Sequence, residues 1–219
     1  MDAAGWDERY AASDLVWSAT PNQFVAAELS GLRPGRALDL ACGEGRNALW
    51  LADRGWQVTA VDFSRVALEK ARAIQARHPR AQELAIEWVV ADALTFDAGP
   101  APHDLVVLAY LQLTSDERRD AVRRAFLALR PGGTFFLVAH DSSNLTEGTG
   151  GPSDPAVLFT AEEVLADLDG ERFEVERAER VTREVAADAS HTHPGDQTRT
   201  AYDVLVRVVR ASQPSLSSS

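Results

Sequence analysis

One stretch of the chain, residues 37–48, constrains the fold more than any other. It reads Ala-Leu-Asp-Leu-Ala-Cys-Gly-Glu-Gly-Arg-Asn-Ala: a short apolar run, two glycines spaced GxG, and a segment with helical character. Seventeen residues after Gly45, a second apolar run ends at Asp62. A strand, a glycine turn, a helix and a second strand ending in a carboxylate are typical of half a nucleotide-binding α/β sheet. The glycines let the backbone approach a ligand, and Asp62 is placed to accept hydrogen bonds from both ribose hydroxyls.

The composition indicates one globular domain and argues against nucleic acid or membrane as a partner. With 219 residues, 45% of them hydrophobic, the chain is long enough to bury a sizeable core. Its net charge of −11 would repel a phosphate backbone. We find no apolar run of about 18 residues and no basic, apolar leader at the N-terminus. The single cysteine, Cys42, fits a reducing compartment. We therefore expect a cytoplasmic monomer or homodimer.

Strand and helix patterns alternate along the chain, which predicts a three-layer, Rossmann-like α/β sandwich. We expect a mostly parallel, seven-stranded sheet with an antiparallel closing strand. The predicted strands cover residues 36–41, 57–61, 86–90, 104–109, 134–139, 173–181 and 200–209, and the predicted helices cover 46–54, 64–77, 115–129 and 160–168. An earlier helix is predicted with Thr20 as its cap and Pro21 in its first turn. The chain then divides into an N-terminal helical lid (1–35), a core domain (36–210) and a disordered tail (211–219).

Three further features lead to expectations about the surface. Residues 141–159 are rich in Gly, Ser, Asn and Pro and are predicted to form a long mobile loop. Lys70, the only lysine, is expected on a solvated helix face, and its position excludes a GxxxxGK[ST] phosphate loop. Four arginines of the helix at 115–129 form a basic group that we also expect to be solvated: Arg118, Arg119, Arg123 and Arg124.

The glycine turn alone does not decide the cofactor. The stretch from Gly43 to Ala48 also fits GxGxxA, so a dinucleotide site competes. Three features argue against it. Asp39, four residues before Gly43, disfavours a pyrophosphate but can hold an ammonium group. Asp92, at the end of the third predicted strand, can read an adenine amino group. A Tyr-x-x-x-Lys pair for hydride transfer is absent from the sequence.

At this point the chain resembles the class I S-adenosylmethionine-dependent methyltransferases over about residues 5–210. Four motifs carry the resemblance: Leu38-Asp-Leu-Ala-Cys-Gly-Glu-Gly45, Val61-Asp-Phe-Ser64, Val90-Ala-Asp92 and Arg130-Pro-Gly-Gly133. The resemblance implies S-adenosylmethionine as the cofactor, S-adenosylhomocysteine as its product, and in-line methyl transfer to a small-molecule nucleophile. The cofactor-binding residues that it implies are Trp17, Asp39, Ala41, Gly43, Gly45, Arg46, Asn47, Asp62, Phe63, Ser64, Asp92, Ala93 and Ala109.

The roles that the resemblance implies follow the shape of the cofactor. Asp39 and the two glycines would line its methionine portion, and the carbonyl of Ala109 would meet the ammonium group. Asp62 would bind the ribose, with Phe63 stacking near the adenine. Asp92 and Ala93 would read the adenine edge.

A narrower resemblance, to the subgroup that contains the tellurite-resistance and thiopurine methyltransferases, is carried by Trp6-Asp-Glu-Arg-Tyr10, Trp17 and Gly43-Glu-Gly-Arg-Asn47. The expected substrate-binding residues are Trp6, Tyr10, Trp17, Tyr110 and His140, and their aromatic character suggests an apolar or cationic small molecule. His140 is the first candidate for a general base and Tyr110 the second, because histidines titrate near neutral pH.

Several alternatives remain open from the sequence. The pair His191-Thr-His193 lies in a polar loop, and we expect no metal there. The residues after Ala109 lack the Asn/Asp-Pro-Pro-aromatic motif of DNA amino-methyltransferases. The competing functions are a nicotinamide-dependent oxidoreductase and a protein that binds S-adenosylmethionine without catalysis.

Overall fold

Strands and helices alternate along the chain, which a computed structural model describes at residues 3–12, 20–99, 102–185 and 199–212. The strands are β1 (Arg36–Leu40), β2 (Gln57–Asp62), β3 (Ile86–Val90), β4 (His103–Ala109), β5 (Leu129–His140), β6 (Phe173–Val185) and β7 (Arg199–Arg210). The helices are α1 (Ala3–Ala11), α2 (Gln23–Leu29), α3 (Arg46–Asp53), α4 (Arg65–Arg77), α5 (Ser115–Leu127), α6 (Asn144–Glu147) and α7 (Ala161–Asp167), with a 3₁₀ turn at Pro155–Val157. None of the helices in these ranges is long and apolar enough to cross a membrane.

The strands join into one mixed sheet in the order β3-β2-β1-β4-β5-β7-β6. Strands β1 to β5 pair in parallel, and β7 runs antiparallel to both of its neighbours, β5 and β6. This confirms the predicted Rossmann-like architecture with an antiparallel closing strand. The chain reverses its direction across the sheet at β1, which lies between β2 and β4. Ligands of open α/β sheets bind at such a switch point, beside the carboxyl ends of the strands.

The sheet is covered on both faces, which accounts for its continuous apolar strands. In β1, Ala37 joins one core cluster while Leu38 and Leu40 join the other, because successive strand residues face opposite sides. Helices α2, α3 and α4 contribute to the first cluster, whereas α5 and α7 contribute to the second. The result is the three-layer sandwich that the sequence predicts.

The first core helix begins later than predicted. Asn22, not Thr20, is the N-cap of α2, and its Oδ1 accepts hydrogen bonds from the backbone N–H groups of Phe24 (2.9 Å) and Val25 (3.3 Å). Asparagine caps a helix more strongly than threonine. Asn22 also donates its own N–H to Asn47 Oδ1 at 3.0 Å, which fixes the start of α2 against α3.

Strand β5 is longer than predicted, and α5 is correspondingly shorter. Leu129 already pairs with His103 of β4, before an irregularity in the register that ends at Thr134. The expectation of helix up to residue 129 is therefore wrong, because Leu129 belongs to the sheet. Asp104, beside this irregularity, accepts two hydrogen bonds. Its Oδ1 accepts from Arg130 Nε (2.5 Å), and its Oδ2 accepts from the Arg36 backbone N–H (2.7 Å).

The segment 141–159 is not an open loop. It contains α6 and the 3₁₀ turn, and Asp141 forms a bridge to Phe159, which is buried. Asn144 is buried as well, and it accepts a hydrogen bond from the Tyr202 backbone (2.8 Å) and donates one to the Gly150 carbonyl (2.8 Å). A composition rich in small polar residues here serves local hydrogen bonding.

The basic group of α5 is only partly solvated. Arg118 is buried, and its Nε donates to Asp167 Oδ2 of α7 at 2.6 Å, while its guanidinium lies 4.8 Å from the Phe159 ring centroid. Asp167 is buried too. The expectation of a solvated face is therefore wrong for Arg118, which joins α5 to α7 in the interior.

We predict that Arg118→Met destabilises the fold more than a surface change on the same helix. Removing Arg118 leaves the buried Asp167 with only the longer ion pair to Arg119 (3.7 Å), and loss of one partner of a buried pair costs about 3 kcal/mol of unfolding free energy. Urea unfolding measures this loss. Arg124→Met, at an exposed position of α5, is the matched control and should change the unfolding free energy little. Equal effects of the two variants would contradict the role of the buried pair.

Candidate functional site

Three connected cavities lie along the carboxyl ends of the parallel strands. A central cavity of about 410 Å³ is bordered by Ala41 and Asp62 after β1 and β2. It shares both residues with a cavity of about 370 Å³ that reaches Asp92, called here the Asp92 cavity. It shares Arg46 and Tyr110 with a cavity of about 450 Å³ that reaches His140, called here the His140 cavity. Together they form a continuous cleft across the switch point of the sheet, of a size that suits small ligands.

The Asp62 carboxylate organises the central cavity. Its Oδ2 accepts from the Gly43 backbone N–H and its Oδ1 from the Ser64 backbone N–H, both at 2.8 Å. Burial raises the pKa of the Asp62 carboxyl, and these two hydrogen bonds oppose that rise. Asp62 lines both the central cavity and the Asp92 cavity, so it faces the middle of the cleft.

The two glycines of the GxG motif have different roles. Gly43 lines the central cavity and has a positive φ of 55°. Gly45 does not line any of the three cavities. It is the N-cap of α3 with a φ of 77°, and a Cβ at this position would lie 2.4 Å from the Trp88 ring. Close packing against β3, together with its backbone angle, requires glycine at position 45.

Asp39 is a carboxylate in the interior beneath the glycine turn. Its side chain is buried, and neither oxygen has a hydrogen-bond partner among the described residues. Burial raises the pKa of the Asp39 carboxyl to about 7, with a smaller contribution from the charge of Asp62. The Ala48 backbone N–H and the Arg46 guanidinium oppose this rise. Asp39 is therefore a group that a nearby positive charge would convert to its ionised form.

Two side chains hold helix α1 beside the glycine turn: Lys70 of α4 and Ser64, the N-cap of α4. Lys70 Nζ donates to the Tyr10 carbonyl at the end of α1 and lies 3.3 Å from Glu44 Oε1, inside the turn. The expectation of a solvated Lys70 is therefore wrong. Ser64, the N-cap of α4, donates its hydroxyl to Asp7 of α1. These contacts hold Trp6 and Tyr10 at the edge of the central cavity.

A buried polar cluster forms the wall of the His140 cavity. Asp203 of β7 is fully buried, and its Oδ2 accepts from the Tyr110 hydroxyl and from Arg183 Nε, both at 2.8 Å. His140 Nδ1 lies 3.2 Å from Asp203 Oδ1, and the Tyr110 and His140 rings are 4.9 Å apart. Burial alone would raise the pKa of Asp203, but these three neighbours hold it below its usual range. Burial and the Asp203 charge raise the pKa of Tyr110.

Most of the predicted site residues lie in the walls of this cleft. Those that line at least one cavity are Trp6, Tyr10, Ala41, Gly43, Arg46, Asn47, Asp62, Phe63, Asp92, Ala93, Ala109, Tyr110 and His140. Three others support the cleft from behind: Asp39, Gly45 and Ser64. Trp17 and the pair His191 and His193 lie outside the described residues.

Sequence reasoning missed Asp203 and Arg183. Both lie in the closing strands β6 and β7, and neither belongs to a motif. A signal was nevertheless present for Asp203, because Ala201 and Leu205 of the same strand are fully buried and a residue midway between them faces the same side. A carboxylate on the buried face of a strand needs partners. Nothing in the local sequence indicates that Arg183 is one of them.

The family comparison agrees with this placement. Residues 37–133 match a family model described as a methyltransferase domain. These residues form a methyltransferase domain. The resemblance inferred from the four motifs is therefore confirmed for the stretch that carries most of the cleft.

Among curated proteins, the methyltransferase domain is similar to two malonyl-[acyl-carrier protein] O-methyltransferases. The Salmonella typhimurium protein is 34% identical over 146 residues, covering 63% of this chain and 53% of that protein. The Enterobacter lignolyticus protein is 36% identical over 120 residues, covering 54% of this chain and 45% of that protein. The chain thus spans about half the length of these relatives.

Solved structures share the fold over nearly the whole chain. NodS, an N-methyltransferase from Bradyrhizobium japonicum solved with S-adenosyl-L-homocysteine, has a TM-score of 0.68 at 20% identity and covers 96% of this chain and 100% of its own. TehB from Haemophilus influenzae has a TM-score of 0.67 at 17% identity, covering 87% and 62%. These TM-scores establish a common fold for the methyltransferase domain and its flanking elements.

We predict that Asp39 makes the ligand-free protein less stable as pH rises. Its pKa is about 7 in the folded protein against an ordinary 3.8, so between these values the folded state binds more protons than the unfolded state. Stability then falls as pH increases through this window and is lowest above pH 7. Asp39→Asn should raise the unfolding free energy at pH 8 by up to about 4 kcal/mol and have a much smaller effect near pH 4.

Urea unfolding at both pH values measures this difference. Asp120→Asn, at an exposed position of α5, provides the control for loss of a carboxylate. If Asp39→Asn changed stability equally at both pH values, the raised pKa would be refuted.

Proposed function

We propose that this protein transfers a methyl group from S-adenosylmethionine to a small-molecule nucleophile. One observation carries the proposal: the methyltransferase domain at 37–133 positions its glycine turn and the carboxylate of Asp62 on a continuous cleft. The cleft extends beyond the central cavity in two directions. One end therefore has room for the adenine of the cofactor and the other for the acceptor.

The residues of the cleft fit S-adenosylmethionine better than a dinucleotide. Glu44, Asp62 and Asp154 line the central cavity, and three carboxylates disfavour a diphosphate. Carboxylates instead suit ribose hydroxyls and an ammonium group. Arg46, which also lines this cavity, suits the carboxylate of the methionine portion. This charge pattern argues against the nicotinamide-dependent oxidoreductase.

The individual roles follow from position in the cleft. Asp62 binds the ribose, because it lies where the central cavity meets the Asp92 cavity. Phe63 shares that position and packs against the adenine, whose edge Asp92 and Ala93 read. Asp39 supplies negative charge beneath the methionine portion.

The cofactor supplies a methyl group on a positively charged sulfur, which is already an activated electrophile. The protein then has to align the nucleophile, exclude water and, where the nucleophile carries a proton, remove that proton. His140 is the base in this proposal. It lines the acceptor end of the cleft, and its Nδ1 lies 3.2 Å from Asp203 Oδ1, which orients the ring. The Tyr110 hydroxyl donates a hydrogen bond to Asp203, and the pKa of Tyr110 is raised. In this proposal Tyr110 therefore positions the acceptor and is not the base.

We predict that Asp62→Ala weakens binding of S-adenosylhomocysteine by about 1–3 kcal/mol, or roughly 5- to 150-fold in Kd. The variant loses both the ribose contact and the link to Gly43. Isothermal titration calorimetry measures the change. Asp120→Ala removes an exposed carboxylate and should bind normally. An unchanged Kd for Asp62→Ala would exclude the ribose role, whereas binding of NAD in place of S-adenosylhomocysteine would reject the proposed function.

We predict that His140→Gln separates acceptors that need a base from those that do not. In a panel of phenols, amines, thiols and halides, formation of S-adenosylhomocysteine reports turnover. With phenols, kcat should fall by about 10²–10⁴-fold, the usual contribution of a general base. With thiolates and halides it should change little. His78→Gln, at the half-buried end of α4, is the control.

The panel also tests catalysis itself. A protein that binds S-adenosylhomocysteine but methylates no member of the panel would favour the non-catalytic alternative. Equal losses with phenols and halides would show that His140 does not act as a base.

A further inference from the structure

Charge is unevenly divided along the cleft. Three carboxylates line the central cavity, whereas none of the described residues lining the His140 cavity is Asp or Glu. That cavity is instead lined by three arginines: Arg9 of α1, Arg46 of α3 and Arg183 of β6. Asp203, behind the wall, is the carboxylate in contact with Arg183. Arg9 and Arg46 also line the central cavity, whereas Arg183 lines the His140 cavity and not the central one.

Among the arginines of this cavity, Arg183 forms an ion pair with Asp203. Burial lowers the pKa of Arg46, the charges of Tyr110 and Asp39 oppose that fall, and Arg183 adds a smaller lowering contribution. Arg183 contacts Asp203 through Nε, so the two terminal amino groups of its guanidinium can still bind an acceptor. The planar guanidinium fork matches a carboxylate, which it binds through two parallel hydrogen bonds.

The rest of the His140 cavity suits an organic body attached to that anion. Its volume of about 450 Å³ is several times larger than an inorganic oxyanion requires. Its lining includes the rings of Trp6 and Tyr110 and the side chains of Pro152 and Val185, beside the polar side chains of Asn22, Gln112 and Thr149. Aromatic and aliphatic surfaces gain by excluding water from an apolar ligand.

We propose that the methyl acceptor is a small organic carboxylate whose anionic group binds against Arg183 and whose apolar body packs on Tyr110 and Trp6. The inference rests on the proposed function, because it assigns the His140 cavity to the acceptor. It differs from the apolar or cationic acceptor expected from the aromatic residues alone. The nucleophilic atom of the acceptor then lies near His140, on the side of the cavity that adjoins the central one.

The test uses benzoate and benzamide, which share a ring and differ in charge. Calorimetry on the full chain saturated with S-adenosylhomocysteine should give a Kd for benzoate at least tenfold lower than for benzamide. Benzoate binding should weaken with added salt, since the contact is between charges. Tellurite and inorganic phosphate, titrated in the same way, should bind more weakly than benzoate because they lack an apolar body.

A variant of Arg183 tests whether this arginine binds the carboxylate of benzoate. Arg183→Met should weaken benzoate binding at least tenfold and leave benzamide unchanged. The double variant Arg183→Met with Asp203→Asn removes both charges of the pair and should show the same loss if the single variant folds poorly. Arg180→Met is the matched control, because Arg180 lies three residues away on β6 and pairs with Glu147 outside the cavity. It should bind benzoate normally.

The outcomes separate this inference from the proposed function. If S-adenosylhomocysteine binds but benzoate is no tighter than benzamide, the anionic acceptor is rejected and the methyltransferase proposal stands. Tighter binding of tellurite or phosphate than of benzoate would refute the inference that the acceptor has an apolar organic body. Failure to bind S-adenosylhomocysteine rejects the proposed function, and this inference with it.

Discussion

The carboxylate of Asp62 is the contact on which the cleft depends. It holds the Gly43 N–H on one side and the Ser64 N–H on the other, and so joins the turn after β1 to the start of α4. Ser64 in turn caps α4 and donates to Asp7 of α1. One buried side chain therefore connects two strands, a core helix and the N-terminal helix. Hydrogen bonds to a charged group contribute about 1.5–3 kcal/mol each, so these contacts also add to the unfolding free energy of the protein.

Backbone strain accompanies this junction at two neighbouring strand ends. Ala41 follows β1 with a φ of 61°, and Tyr110 follows β4 with a φ of 59°. Such angles cost a residue other than glycine about 1–3 kcal/mol. The surrounding hydrogen bonds hold them in place: Cys42 donates to the Val61 carbonyl (2.9 Å) and Tyr110 to the Val138 carbonyl (2.8 Å). The Tyr110 hydroxyl thereby reaches Asp203, and the backbone of Ala41 borders the cleft.

The sequence alone predicted those parts of the fold that local sequence patterns determine. Apolar runs, caps and the glycine turn predicted the strands, most of the helices and the carboxylates at strand ends, because each signal lies within a few residues. Contacts between distant segments were not predictable in this way. Trp88 explains why position 45 is glycine, yet 43 residues separate them in the chain. Arg183 and Tyr110 meet on Asp203 only because β7 inserts between β5 and β6.

The same limit applies to charge in the His140 cavity, because the sequence does not show which arginines lie close together in the fold. A net charge of −11 describes the whole chain, whereas three arginines from α1, α3 and β6 converge on one cavity. At long range, the protein's net charge repels an anion, and salt at physiological strength screens that repulsion beyond about 8 Å. Inside the cavity the arginines act at short range and with less screening. In the proposed complex, discrimination between acceptors arises after entry, from whether an anionic group can bind the guanidinium groups that line this cavity.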